Sequence, residues 1–320
     1  MTTGVQGGNA RRAWWWALFA LAIAGAIVFY LLTMPKTVPA SELPAHTPDV
    51  ANGEYIFTAG GCAECHAAPL AKCKDTKVKD KTRLAGGRCL KTPFGVFNVP
   101  NISPDKETGI GNWSTLDFVN AMKRGIGPGG EHLYPAFPYT SYQRMRTDDV
   151  RDLFAYLKTL PPVQGRVRDH DVPFPFNVRR LLGGWKLLFF RDTRTEDIDS
   201  ATPWRRGEYL VNGPGHCAEC HSPRNALGGI VGAQRFAGGP NPEGEGWVPN
   251  ITQQALNDYS VEDIADLLET GTTPDGNTVG GAMGPVIRNL AQLTPQDRHA
   301  MAVYIKSLPP VEGPKKPEKK

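Results

Sequence analysis

The chain has 320 residues, a formal net charge of +4 and 40% hydrophobic residues, a length that suggests two domains. Its 35 Gly and 28 Pro make about one residue in five, against about one in eight on average, which excludes a long coiled coil or a polytopic membrane bundle and points to short helices joined by much loop. The positive charge lies in Arg11, Arg12 and the closing Lys-Lys-Pro-Glu-Lys-Lys, so the body is near neutral and offers no electrostatic footprint for nucleic acid.

Arg11 and Arg12 precede an uncharged run, residues 13–34. At 1.5 Å per residue it is long enough to cross a bilayer as one helix. The positive-inside rule then leaves residues 1–12 in the cytoplasm and the body outside. Trp14, Trp15, Trp16 and Tyr30 lie where interfacial aromatics belong. The alternative is a cleaved signal peptide, with Val38-Pro39-Ala40 as a passable cleavage site; signal cores usually run about 7–15 residues. Either way the body is exported. Residues 35–48 read as a Pro-rich linker.

The rest of the chain repeats itself. Gly53-Glu54-Tyr55 leads to Cys62-Ala63-Glu64-Cys65-His66, and Gly207-Glu208-Tyr209 leads to Cys217-Ala218-Glu219-Cys220-His221. Ala-Gly-Gly at 85–87 returns at 237–239, and Pro-Asn-Ile-Ser at 100–103 returns as Pro-Asn-Ile-Thr at 249–252. The segment 155–165 returns as 303–313. The order is kept, and each copy has the size of a small domain. The expected domains are 49–163 and 203–312, joined by 164–202, with 313–320 a disordered basic tail. Helices are expected over 115–124, 148–160, 261–270 and 295–308, with Ser114/Asp117, Ser260/Asp263 and Thr294/Asp297 as capping pairs. A short helix should precede each Cys-Ala-Glu-Cys-His. No stretch alternates well enough to read as a strand, so the fold class is all-α. Within 164–202, Phe174-Pro175-Phe176 and residues 181–190 are strongly apolar. They read either as a brace across both domains or as a docking surface for a partner or a membrane.

Both copies contain C-x-x-C-H, the signature of c-type haem attachment. Two cysteines one helical turn apart can reach the two vinyl groups on one porphyrin edge, and the adjacent histidine turns under the ring to ligate iron. Cys62, Cys65, Cys217 and Cys220 are therefore the expected haem-binding cysteines, with His66 and His221 as proximal ligands and two haem c in all. Zinc would want a second Cys or His pair nearby, and a redox C-x-x-C would want a βαβ context; neither is present in the sequence. For the sixth ligand, Met283 lies on a Gly/Pro loop before the last helix of the second copy. The matching loop of the first copy has Phe137, which cannot ligate iron. Met145 is the favoured distal candidate there, with His132 or an open iron as alternatives. Cys73 and Cys89 have no haem motif and, in an exported protein, read as a disulfide closing a lysine-rich loop, worth roughly 3 kcal/mol in the chain-entropy model. The alternative is two reduced thiols.

At these residues the sequence resembles the multi-haem cytochrome c subunits of membrane-bound bacterial dehydrogenases for alcohols, gluconate and aldehydes. The likeness rests on both Cys-Ala-Glu-Cys-His motifs, 93–95, 100–105, 132–142, 215–229 and 249–252, and covers about 50 to 312. It implies two tandem class I cytochrome c-like domains, a single N-terminal transmembrane helix, and a place on the periplasmic side of the bacterial inner membrane. It also implies a periplasmic dehydrogenase as electron donor and quinone, a small cytochrome or a terminal oxidase as acceptor, with no catalytic role of its own. Two departures stand out: those subunits commonly carry three haems, and they often have Met where this chain has Phe137. The competing function is a di-haem enzyme such as a peroxidase, with the first iron open. A haem-based sensor is a third, but no signalling module is present in the sequence.

Overall fold

An uncharged run has only its own backbone to satisfy its amides, and in the computed structural model it forms α1, Gly7–Leu32. The structure describes residues 7–67, 80–191 and 202–317, with 7–10 described by their backbone alone. The membrane-length stretch is Arg11–Leu32, and none of its apolar core is buried in the protein. The linker 35–48 does not hang free. Val38 and Leu43 pack against the first hydrophobic core, and the Val38 amide donates to Asn120 Oδ1 at 2.7 Å.

The first copy then folds as α2 (Val50–Ala59), α3 (Cys62–His66), an antiparallel hairpin β1 (Cys89–Thr92) and β2 (Gly95–Asn98), then α4 (Thr115–Arg124), α5 (Tyr139–Tyr142) and α6 (Thr147–Thr159). The joining segment contributes α7 (Leu181–Phe189). The second copy gives α8 (Pro203–Asn212), α9 (Ala218–His221), a two-residue hairpin β3 (Gly239–Pro240) and β4 (Trp247–Val248), then α10 (Gln253–Leu256), α11 (Val261–Thr270), α12 (Met283–Leu290) and α13 (Pro295–Lys306).

The helix ends obey local rules. Ser114 and Ser260 each form a complete capping box with Asp117 and Asp263, and α4 and α11 end on left-handed Gly125 and Gly271. Asp49 caps α2 by accepting from Ala51 N and Asn52 N at 2.9 and 3.1 Å. Thr294 caps α13, but Asp297 does not close a box there, because Arg206 and Tyr55 claim its carboxylate.

Two cores result. One is built from α2, α4 and α6 with Ile56, Phe118, Val150 and Leu157; the other from α8, α11 and α13 with Leu210, Ile264, Met301 and Ile305. In each, the first and last helices cross at a glycine. A Cβ on Gly53 would lie 2.1 Å from Asp152 O, and one on Gly207 would lie 1.9 Å from Ala300 O. That is why the Gly of Gly-Glu-Tyr appears in both copies: only a missing side chain lets these backbones meet.

Two features differ from the sequence-based expectation, and a third follows one of its two readings. The two hairpins depart from a purely helical chain; they are short and lack the alternation that would mark them. Met283 opens α12 rather than lying on a loop, because Gly280 and Gly281 turn the chain just before it and Met283 N donates to Gly280 O at 3.2 Å. Segment 164–191 does brace both cores. Lys186 Nζ donates to Arg124 O and Gly125 O at 2.6 and 2.8 Å, and Trp185 Nε1 donates to Leu227 O at 2.9 Å.

Candidate functional site

Each Cys-Ala-Glu-Cys-His turn is followed by a left-handed glycine. Gly86 N donates to His66 O at 2.6 Å, and Gly238 N donates to His221 O at 2.8 Å. A Cβ on Gly86 would lie 2.5 Å from Pro100 backbone, and one on Gly238 would lie 2.6 Å from Asn250 N. The glycine thus brings the Pro-Asn segment hard against the histidine. His66 Nδ1 meets Pro100 O at 2.9 Å, and His221 Nδ1 meets Pro249 O at the same distance. A carbonyl only accepts, so both imidazoles carry their proton on Nδ1 and present Nε2 as a lone pair. Burial pushes His66 down to about 4 and lowers His221, which keeps both rings neutral. The following Asn locks the support in place: Asn101 Nδ2 donates to Val163 O at 2.7 Å and Asn250 Nδ2 to Val311 O at 2.8 Å. Three repeated motifs, remote in sequence, are one device that fixes a neutral histidine with Nε2 unprotonated.

The donor set fits a covalent haem. Each motif supplies two thiols and one imidazole, and among the described residues no cluster of three or more His, Cys, Asp or Glu side chains forms that could hold a metal ion alone. Burial pushes the Cys62 and Cys220 thiols up to about 12 and Cys217 to about 11, so they stay protonated. Cys62 packs against the first core, whose buried members include Ala63, Tyr142 and Met145, and Cys217 packs against the second, whose buried members include Tyr209 and Phe236. Arg88 Nη1 donates to Glu64 O at 3.3 Å and lies 3.5 Å from Cys65 Sγ.

The structure separates the two methionines. Met145 is 1% exposed and shares the first core with Cys62. Repeat register sets it opposite Leu293, a core residue of the second copy. Met283 is half-buried at the start of α12 and belongs to neither core. Phe137 lies against Tyr142, ring centroids 5.4 Å apart. His132 is engaged elsewhere: its Nε2 donates to Thr33 O at 2.9 Å. Cys89 is disulfide-bonded, while Cys73, its expected partner, lies outside the described residues.

Sequence reasoning missed how the two motifs meet. Glu64 and Glu219, the middle residues of the motifs, both reach the opposite copy. Glu219 accepts from Thr140 Oγ1 and Ser141 Oγ at 2.7 and 2.6 Å, and Glu64 accepts from Asn289 Nδ2 at 3.4 Å. Gly60 lies against Pro214 O, and the His216 ring packs edge-on to Tyr142 with centroids 5.6 Å apart. The tyrosines of Gly-Glu-Tyr exchange partners: Tyr55 donates to Asp297 at 2.5 Å, and Tyr209 donates to Asp149. Arg206 and Arg146 complete the two carboxylates with paired hydrogen bonds. The only sequence signal was the duplication itself, since an interface between copies uses equivalent residues.

A helical fold that fixes C-x-x-C-H with its histidine backed by a carbonyl defines a c-type cytochrome. Residues 50–161 match the family model described as cytochrome c. Over 303 residues, 94% of this chain and all of the relative, the sequence is 48% identical to a "Diheme cytochrome c-type" protein of Cereibacter sphaeroides. It is 36% identical over 313 residues to a nicotinate dehydrogenase subunit of Pseudomonas putida, covering 95% of this chain and 25% of that protein. It is 35% identical over 301 residues to the fructose dehydrogenase cytochrome subunit of Gluconobacter japonicus, covering 90% of this chain and 57% of that subunit. The chain therefore belongs to the cytochrome c family: it binds haem covalently and serves electron transfer.

Proposed function

We propose that the chain carries two haem c, one on each Cys-Ala-Glu-Cys-His, in two tandem class I cytochrome c-like domains. Helix α1 holds it in the bacterial inner membrane, with both domains on the periplasmic side. It accepts electrons from a periplasmic dehydrogenase subunit and passes them towards quinone, a small cytochrome or a terminal oxidase, and it is not the subunit that oxidises the substrate. The observation that carries this reading is the duplicated His–Pro clamp, which leaves Nε2 of His66 and of His221 available in the same way. The names of the relatives, cytochrome subunits among them, support the dehydrogenase partner.

When bound, the haem supplies a one-electron iron couple. The chain's residues do the rest. Cys62, Cys65, Cys217 and Cys220 tether the porphyrin edges, and His66 and His221 present neutral imidazole. Met283 would supply a thioether to the iron of the second site, and Met145 is the candidate to do so at the first. Pairing of Cys73 with Cys89 closes the loop after the first motif. Phe137, standing where the repeat would place a methionine, favours a second reading in which the first iron is open and the protein is a peroxidase. Carbon monoxide and peroxide, added separately to the full-length protein, distinguish them. Electron transfer predicts no carbon monoxide band in the reduced protein and no peroxide turnover. Binding at one haem together with peroxide consumption gives the peroxidase.

A further inference from the structure

The joining segment does more than brace the two cores, because it meets α1 where α1 ends. Gly183 lies so close to Thr33 that a Cβ there would be 2.6 Å from Thr33 O, and a Cβ on Gly184 would be 3.2 Å from the Phe29 ring. Arg180 donates to Tyr30 O, and its guanidinium lies 4.2 Å from the Tyr30 ring centroid. His132 Nε2 donates to the buried Thr33 carbonyl on the same side. The last turn of α1 is thus clamped to α7 by four residues of the body.

That clamp sets a height. Arg11–Leu32 is 22 residues, about 33 Å of helix against a hydrocarbon core of about 30 Å. Phe29–Thr33 then lies at the outer edge of the hydrocarbon, and Gly183–Gly184 lies level with it. Along the same segment the body exposes large apolar side chains: Phe174 is 80% and Leu188 64% exposed, with Leu181 and Leu187 also exposed, while Phe176 rests edge-on against Phe94. Arg179 and Arg180 flank them at the start of α7, with Arg179 donating to His132 O at 3.0 Å and stacked over the Tyr134 ring. The other side of the helix is spoken for: Gly183 faces Thr33, Lys186 binds two backbone carbonyls of the first copy and Phe189 lies on Gly229.

We infer that residues 174–190 form a second membrane contact, lying in the outer lipid interface with Phe174, Leu187 and Leu188 inserted among acyl chains. The occupant is lipid because the patch continues the exposed apolar surface of α1, which lipid covers. An apolar helix face with basic residues at its margin suits the headgroup boundary of anionic lipid. The contact would hold the two haem motifs at a fixed distance and orientation over the membrane instead of on a tether. The inference rests on reading α1 as a membrane anchor.

The test uses the full-length, haem-loaded protein in vesicles of phosphatidylcholine and phosphatidylglycerol containing a phospholipid with a photoactivatable acyl chain. Peptide mass spectrometry locates the adducts. The expected result is labelling of α1 and, separately, of residues 174–190. A variant with Phe174→Ser, Leu187→Ser and Leu188→Ser should keep the α1 adducts and its haem spectrum and lose the second set at least fivefold. Adducts on α1 alone in the wild type would overturn the second contact and leave the anchor standing. Adducts on neither segment would remove the anchor and the contact with it. In native membranes, crosslinking of 174–190 to another protein and not to lipid would also overturn it.

Discussion

Tyr55 and Tyr209 stand at the same place in the two copies of Gly-Glu-Tyr, and each hydroxyl donates to an aspartate of the other copy. Burial pushes Asp149 and Asp297 up, but the hydrogen bonds from Arg146 with Tyr209, and from Arg206 with Tyr55, outweigh it and hold both carboxylates below their ordinary range. Glu219 is held down against burial by Arg224, Ser141 and Thr140. Removing the Tyr209 hydroxyl deletes a charge-assisted bond in a buried setting. Tyr209→Phe should lower stability by about 2 kcal/mol in denaturant titration with the Soret band unchanged. The pH dependence follows from the same groups. A carboxylate whose pKa is lower folded than unfolded stabilises the fold fully above its unfolded value, near 4. That contribution fades as pH falls through the folded value. The buried neutral histidines act with the same sign: His66 and His221 resist protonation when folded, so stability begins to fall as pH drops through the ordinary histidine range, near 6.5, and falls further below the ordinary carboxylate range. Asp149→Asn should remove part of the second, lower drop only; an Asp149→Asn midpoint that tracks the wild type below about pH 4 would contradict the assignment. The sixth ligands are tested by spectrum. Met283→Ala should abolish a sulfur-to-iron band at the second haem, and Met145→Ala should open the first. Two variants with unaltered spectra would refute both.

Among the elements, the glycine crossings decide which helices can pair. Ala at Gly53 or Gly207 would push its Cβ into the backbone of α6 or α13. Each substitution should cost about 1–3 kcal/mol by overpacking, whereas Gly232→Ala, with open space around its missing Cβ, should be neutral to within about 0.5 kcal/mol. The helices themselves were legible. Ser114 and Ser260 with their i+3 aspartates set the starts of α4 and α11, and Gly125 and Gly271 set the ends. The attachment motifs were legible too, because their spacing is dictated by a porphyrin edge. The reason for Pro-Asn-Ile was not. It lies in a carbonyl 34 residues from His66, which no local pattern encodes. The hairpins were missed because four residues or fewer give no period. Helix α12 was missed because its start is hidden behind two glycines and carries no side-chain cap.

For the whole molecule the duplication becomes an interface. Glu64 and Glu219 tie each attachment turn to the other copy, Gly60 touches the chain just before Cys217, and α7 lashes both copies to the end of α1. This arrangement suits a protein that hands electrons on, since the two attachment turns are held together. Its foundation is the claim that both motifs carry haem. The most direct measurement is the mass of the intact, denatured full-length chain. Two haems should remain attached to the wild type, and one to a variant carrying both Cys217→Ala and Cys220→Ala. A wild type that denatures to the mass of one haem, or of none, would contradict the account.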